Sequence, residues 1–258
     1  MLPTTEAFAT SMRSYSNYIQ MPWGRLFYLT AWHQIENHIL LEKKPSILDI
    51  GCGFGITSHE FARKGYRVTG IDPTTEMIAK AQESAMKEGL SISYSVTTLQ
   101  DSDVLAERYD WIFCHNVLEY LEHPKEMLMD ISKKQSAKGM LSLIAHNPVA
   151  KVMKKAIMNK DPQGALDSIG NMREYSGIIQ TEITIYTNDQ LAEWLENCGY
   201  EIRWTYGIHN IYGYIADNEV KMDEDWNKHM VELELKLGSE SPYKDIAIFT
   251  HLIAEKIR

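Results

Sequence analysis

The sequence predicts an α/β domain built on a mostly parallel sheet, and three observations carry that prediction. Residues 46–50 form a short apolar run that ends in a glycine-rich turn, Gly51-Cys52-Gly53-Phe54-Gly55, and leads into helical apolar spacing over 56–64. A second strand-like run, 66–71, closes on Asp72, 17 positions after Gly55. A third, 109–115, is nearly all apolar, as a parallel strand covered on both faces should be. Strand, glycine turn, helix, strand, acid is the order of a Rossmann-like βαβ unit. The glycines let the backbone bend tightly and approach a ligand, and the acid is placed for the two hydroxyls of a ribose.

The residues separate the nucleotides that compete for such a unit. A dinucleotide turn reads G-x-G-x-x-G, but its third glycine would fall at Ile56. Asp49 sets a carboxylate beside the turn, where a pyrophosphate would be repelled. No Gly-Lys-Ser/Thr follows, which removes the phosphate-cradling P-loop. S-adenosylmethionine carries no phosphate and presents a sulfonium and an ammonium, both compatible with Asp49. In Asp49-Ile50-Gly51-Cys52-Gly53-Phe54-Gly55 the chain resembles the class I S-adenosylmethionine-dependent methyltransferases, whose first motif is D-x-G-x-G-x-G. The candidate cofactor residues on this stretch are Asp49, Gly51, Cys52, Gly53, Gly55 and Asp72.

Composition bounds the rest. The 258 residues suffice for one large domain with a lid, and 44% hydrophobic content supports a sizeable core. No run approaches the ~20 apolar residues of a membrane span, and the N-terminus lacks the pattern of a signal peptide. Cys52, Cys114 and Cys198 are scattered and odd in number, which fits a reduced, cytoplasmic protein better than a disulfide framework. The nine histidines show no metal-ligand spacing, and no metal is expected. A net charge of −9 argues against binding nucleic acid over the whole surface, while leaving room for a local basic patch.

Residues 1–45 precede the first strand and are expected to form an N-terminal helical lid, with 46–258 as the methyltransferase-like domain. Apolar spacing over 24–41 predicts a helix; its aromatics suit core packing or a cover over the site. Arg25 is the candidate for an anionic group of cofactor or substrate, since a guanidinium captures a carboxylate bidentately. After Asp72, Thr74 or Thr75 caps a helix to about residue 89, and 92–96 is the third strand. The strand over 109–115 ends in His115, which the fold sets at the ligand crevice. Residues 138–146 form a fifth strand. An insertion at about 147–181 follows, where Lys151, Lys154, Lys155 and Lys160 line a helix that suits either solvent or a polyanion such as tRNA. Thr187 caps the next helix, 200–206 is a sixth strand, 217–237 an acidic amphipathic helix and 245–256 the last strand. The expected sheet has seven strands, the last antiparallel.

Across the chain the sequence is similar to the bacterial tRNA 5-carboxymethoxyuridine methyltransferases. The similarity covers GRLFYLTAW before the sheet, His115-Asn116-Val117-Leu118-Glu119-Tyr120, LSLIAHN with the basic insertion, GIHNIYGYI, and SPYKDIAIFTHLIAEK. It implies methylation of a carboxylate on a modified wobble uridine of tRNA. It also implies cofactor contacts at Gly51, Cys52, Asp72, Leu99, Gln100 and His115, with Asp101 at the adenine amino group. The family's N-terminal arginine aligns with Phe27, so Arg25 serves only by a small shift. A carboxylate acceptor is ionised at neutral pH and needs no base, whereas a hydroxyl would call on His115 or His146. His115 is thus a cofactor contact or a general base. A small-molecule methyltransferase, and a non-catalytic cofactor-binding module acting through the 217–237 helix, remain as alternatives.

Overall fold

The computed structural model describes residues 3–40, 44–101 and 107–258. Two helices open the chain, α1 (Pro3–Gln20) and α2 (Pro22–Glu36). Strands and helices then alternate through β1 (Ser46–Ile50), α3 (Ile56–Arg63), β2 (Arg67–Asp72), α4 (Thr75–Lys87) and β3 (Ser93–Val96). β4 (Tyr109–His115), α5 (Pro124–Lys134) and β5 (Gln135–His146) follow. An excursion of α6 (Pro148–Ile157), α7 (Pro162–Leu166) and a hairpin, β6 (Arg173–Ser176) with β7 (Thr181–Thr184), comes next. The chain closes with α8 (Asn188–Asn197), β8 (Tyr200–Ile208), α9 (Glu224–Leu237) and β9 (Phe249–Lys256).

Seven strands make one sheet in the order β3-β2-β1-β4-β5-β9-β8. β1 to β5 run parallel, and β9 lies antiparallel between β5 and β8. The order reverses between β1 and β4, which opens a crevice at the carboxyl ends of the strands. Successive side chains take opposite faces of the sheet. Leu48, Ile50, Ile112, Cys114 and Leu143 pack with Leu128 and Ile131 of α5 and Leu191 and Leu195 of α8. Ile47, Trp111, Phe113 and Ile253 pack on the other side with Ile35 of α2 and Phe61 of α3. The wholly buried rings of Phe61 and Phe113 lie 5.0 Å apart, and losing either would cost ~3–5 kcal/mol. Among the described residues no helix is long and apolar enough to cross a membrane.

Several elements differ from the sequence expectation for local reasons. Periodicity does not announce α1, because the side chains it buries are the polar Thr5 and Ser11, with half-buried Phe8, Tyr15 and Tyr18 toward the cavity in place of an aliphatic stripe. α2 begins at Pro22, whose fixed φ suits a first helical position, and it ends at Glu36. Residues 1, 2 and 41–43 of the expected lid lie outside the described residues. The acidic run expected to start a helix at 217 instead forms turns. The Asp217 carboxylate accepts the amides of Glu219 and Val220, and Asp223 caps α9 by accepting from Trp226 N–H. β9 starts at Phe249 rather than 245, since the Asn147 amide donates to the carbonyls of Asp245 and Ala247. The predicted cap at Thr187 is present as a reciprocal pair with Gln190.

The inner face of α9 is anchored by Glu234, whose side chain is fully buried. Its carboxylate accepts the backbone N–H groups of Asn210 at 2.6 Å, Ile211 at 2.9 Å and Tyr212 at 2.8 Å, plus the Asn210 amide at 2.9 Å. Glu234→Ala strands these donors, so we expect a loss of ~3–5 kcal/mol and a drop in Tm of roughly 10 °C by thermal melting. A shift under about 3 °C would contradict this role.

Candidate active site

A cavity of about 640 Å³ opens at the carboxyl ends of β1, β2 and β4 and is covered by α1, α2 and the β6–β7 turn. Its floor is the glycine turn. Gly51 and Cys52 both donate backbone N–H groups to Ile71 O, at 2.8 and 3.0 Å, curling the turn against the end of β2. Gly51 has φ +67°, and a Cβ there would lie 2.6 Å from Val117 Cγ2. Gly53 and Cys52 also line the cavity. Gly55 does not: at φ +73° it begins α3, and a Cβ would sit 2.2 Å from the Tyr94 hydroxyl oxygen. Gly55, expected among the cofactor residues, thus lies beneath the turn against Tyr94 and off the cavity wall.

Asp72 ends β2 on the cavity wall, 9% exposed. Gly53 N–H donates to its Oδ2 at 3.0 Å and Thr74 N–H to its Oδ1 at 2.8 Å. Each oxygen keeps acceptor capacity for one ribose hydroxyl. Burial raises the Asp72 pKa, and those two backbone bonds oppose the shift. Asp49 is buried, and desolvation pushes its pKa up to about 7, against a 2.6 Å bond donated by the Ser58 hydroxyl. Burial beside these acids lifts the Cys52 thiol well above its usual range, so it stays protonated and unreactive.

Leu99 is buried and Gln100 exposed, both on the cavity wall. Asp101 is exposed, is not among the lining residues and accepts the Thr98 hydroxyl at 2.7 Å. His115 lines the cavity with its Nε2 2.8 Å from Ser142 Oγ. Ser142 Oγ is in turn 2.8 Å from His251 Nε2, and His251 Nδ1 is 2.7 Å from Gln34 Oε1. Desolvation drives the His115 pKa down to about 3, which keeps the ring neutral.

Two predicted groups lie elsewhere. Arg25 is exposed on α2, next to the buried stripe of Gly24, Leu26, Phe27 and Thr30, and does not reach the cavity wall. Lys151 is 8% exposed, and its ammonium donates to the carbonyl oxygens of Asn171 at 2.9 Å and of Arg173. That lysine is used inside the excursion and is not available to a substrate. Lys154 approaches Glu174 at 3.9 Å, and neither it nor the half-buried Lys155 lines the cavity.

The cover was only partly legible. Tyr15 of α1 and Tyr28 of α2 share a 2.7 Å hydroxyl bond over the glycine turn, and burial pushes the Tyr15 pKa up to about 12. Ser11 donates to Ile179 O at 2.9 Å, tying α1 to the β6–β7 turn. Ile178 and Ile179 reach the cavity from a stretch with no recognisable motif. Asn116, at φ +53°, also lines it, and its buried Oδ1 has no protein partner among the described residues. His146 completes the far wall from the end of β5.

No lysine or arginine lines this cavity among the described residues, while Asp49, Asp72, Glu122 and Glu126 do. That charge pattern repels phosphates and suits a ligand carrying a sulfonium and an ammonium. The orphaned Asn116 Oδ1 offers a further acceptor for an ammonium. Asp72, with Gly51, Cys52, Gly53, Leu99 and Gln100 around it, would hold the adenosine part of S-adenosylmethionine. Among the described residues no cluster of metal-ligating side chains occurs.

The sequence and the fold are similar to those of known methyltransferases. Residues 47–139 match a family model described as a methyltransferase domain. The chain is 30% identical to the ubiquinone biosynthesis O-methyltransferase of Coxiella burnetii over 226 residues, 84% of this chain and 81% of that protein. It is 26% identical to the tRNA 5-carboxymethoxyuridine methyltransferase of Escherichia coli K12 over 243 residues, 90% of this chain and 89% of that one. It spans about half (51%) of the Actinobacillus pleuropneumoniae ubiquinone biosynthesis O-methyltransferase, at 35% identity over 120 residues. A solved S-adenosylmethionine-dependent methyltransferase from Listeria monocytogenes superimposes with a TM-score of 0.60 at 15% identity, over 90% of this chain and 98% of that one.

Two outcomes follow for ligand binding, both measurable by calorimetry with S-adenosylhomocysteine and S-adenosylmethionine. Asp72→Ala removes both ribose acceptors and should weaken binding about a hundredfold, ~3 kcal/mol; unchanged affinity would contradict the pocket assignment. Asp49 favours a cationic ligand only when ionised. S-adenosylmethionine affinity should therefore rise with pH up to about 7 and level off above it, falling about tenfold per unit below. Asp49→Asn should flatten that dependence. In the empty protein the same raised pKa acts oppositely: its stabilising contribution is full below about pH 4 and is lost as pH rises through about 7.

Proposed function

The chain belongs to the class I S-adenosylmethionine-dependent methyltransferases, and from that premise we propose that it transfers the methyl group to an oxygen of a small, largely apolar acceptor. One observation carries this reading: the acceptor side of the cavity is walled by Phe8, Tyr120, Ile178, Ile179 and Phe249, with no lysine or arginine among the described lining residues. Such a wall suits an aromatic or aliphatic body and offers no fixed cation to a carboxylate. When bound, the cofactor supplies a methyl carbon already activated by its sulfonium. The protein's part is alignment and exclusion of water, for which reacting atoms held ~3–3.5 Å apart suffice. In this reading α1 and α2, within the expected 1–45 segment, are the lid: the Tyr15–Tyr28 bond closes over the turn, and Phe8 packs on Tyr120 at 4.9 Å. Three free thiols support placement in a reducing cytoplasm.

A second reading, methylation of a modified wobble uridine in tRNA, is favoured by the Escherichia coli relative, which matches over most of both chains. It would need the base to be splayed into the cavity and the excursion to meet phosphates with Lys154, Lys155 and Lys160. Labelled S-adenosylmethionine, offered separately to bulk tRNA and to a lipid-soluble extract from cells lacking the gene, separates the two. Label in the extract, unaffected by Lys154→Ala/Lys155→Ala, is expected. Label located at a wobble uridine, weakened by that double variant and by salt, would overturn the small-acceptor reading in favour of tRNA.

A further inference from the structure

We propose that His146, held by the buried Glu119 carboxylate, is the general base of this site, and that its acceptor is a neutral hydroxyl such as a phenol. The inference rests on the small-acceptor reading and narrows it. In the sheet order, β2 carries Asp72, β1 the glycine turn, and β4 and β5 lie successively further along. A cofactor whose adenosine lies at β2 and β1 therefore leaves the end of β5 to the acceptor. His146 ends β5 on that wall, its ring 4.7 Å from Phe249.

Glu119 sits behind it with a side-chain exposure of 0%. Its Oε1 lies 3.1 Å from His146 Nδ1 and accepts His146 backbone N–H at 2.7 Å. Its Oε2 is buried with no hydrogen-bond partner among the described residues. A carboxylate kept in an apolar interior with one oxygen unsatisfied is costly, and packing alone does not require it. The cost is accounted for if the carboxylate fixes one tautomer. With Nδ1–H donating to Oε1, the lone pair stays on Nε2, which takes no hydrogen bond among the described residues, on a ring that lines the cavity. The same carboxylate then stabilises the imidazolium formed during turnover. His115 is not equivalent, because its Nε2 is engaged by Ser142 and its pKa is lowered to about 3.

The step balances. The acceptor O–H proton passes to Nε2 while the oxygen forms its bond to the methyl carbon. The carbon–sulfur bond breaks with its electron pair on sulfur, and the imidazolium returns the proton to solvent. A carboxylate acceptor would make this dyad idle, since it arrives ionised.

The test uses the full-length protein, with 4-tert-butylcatechol as a protonated probe and 4-nitrocatechol as one already ionised at neutral pH. His146→Gln, with S-adenosylhomocysteine binding unchanged as the control for folding, should lose about 10²–10³-fold in kcat on the first probe and little on the second. Glu119→Gln, a change in a positioning residue, should shift the pH–rate profile on the first probe. Nitrogen-15 spectra of the ligand-free protein should show neutral His146 as the Nδ1–H tautomer. Equal losses on both probes, or an Nε2–H tautomer, would overturn the base assignment while leaving the small-acceptor reading intact. A wild-type protein that binds the cofactor yet methylates neither probe nor any lipid-soluble hydroxyl would remove both.

Discussion

Asp72 is the contact on which the site depends. Its two oxygens hold the backbone amides of Gly53 and Thr74, while Ile71 O, one residue earlier, takes the amides of Gly51 and Cys52. The end of β2 therefore fixes the path of the turn leaving β1, before any ligand arrives. A backbone already bent to the ligand spares the entropy of ordering it on binding. The turn also sets what surrounds it. Gly51 leaves room for Val117, and Gly55 leaves room for Tyr94, so the cavity floor and the packing below it are built from the same five residues.

Desolvation then differentiates groups that look alike in the sequence. His115 and His146 end neighbouring strands, yet one is linked through Ser142 to His251 and Gln34 and the other rests on a carboxylate. The first arrangement makes a neutral wall that ties the end of β4 to α2. The second leaves the His146 imidazole on the cavity wall. Asp49 and Asp72 likewise differ: Asp49 is held by Ser58 alone among the described residues, through its hydroxyl and its backbone, while Asp72 takes the amides of Gly53 and Thr74 and the Thr74 side chain. Burial accordingly moves Asp49 to about 7, where binding of a cation can draw out its proton.

The sheet and the glycine turn that faces the cavity were legible because their signals are local. A glycine turn after β1, an acid closing β2 and an apolar β4 each follow from short-range backbone demands. The wall toward β5 was not, because it is assembled at long range. Ile178 and Ile179 arrive from a hairpin with no motif, and Ser11 meets Ile179 across 168 positions. Arg25 and Lys151 show the limit of reading charge from composition. Helical phase puts Arg25 outside, and the fold turns Lys151 inward onto two carbonyls. His146 was visible as a residue type at a strand end, but Glu119, buried in a short helical turn, becomes meaningful only once it is seen behind that ring.

If one cavity holds the cofactor at β1 and β2 and the acceptor toward β5, a crystal structure with S-adenosylhomocysteine bound will show both. Ribose hydroxyls are expected on Asp72, adenine beside Leu99, and the sulfur directed at the space bounded by Tyr120, His146 and Phe249. Density for the ligand with its ribose away from Asp72, or with the sulfur facing α4 instead of β5, would contradict it.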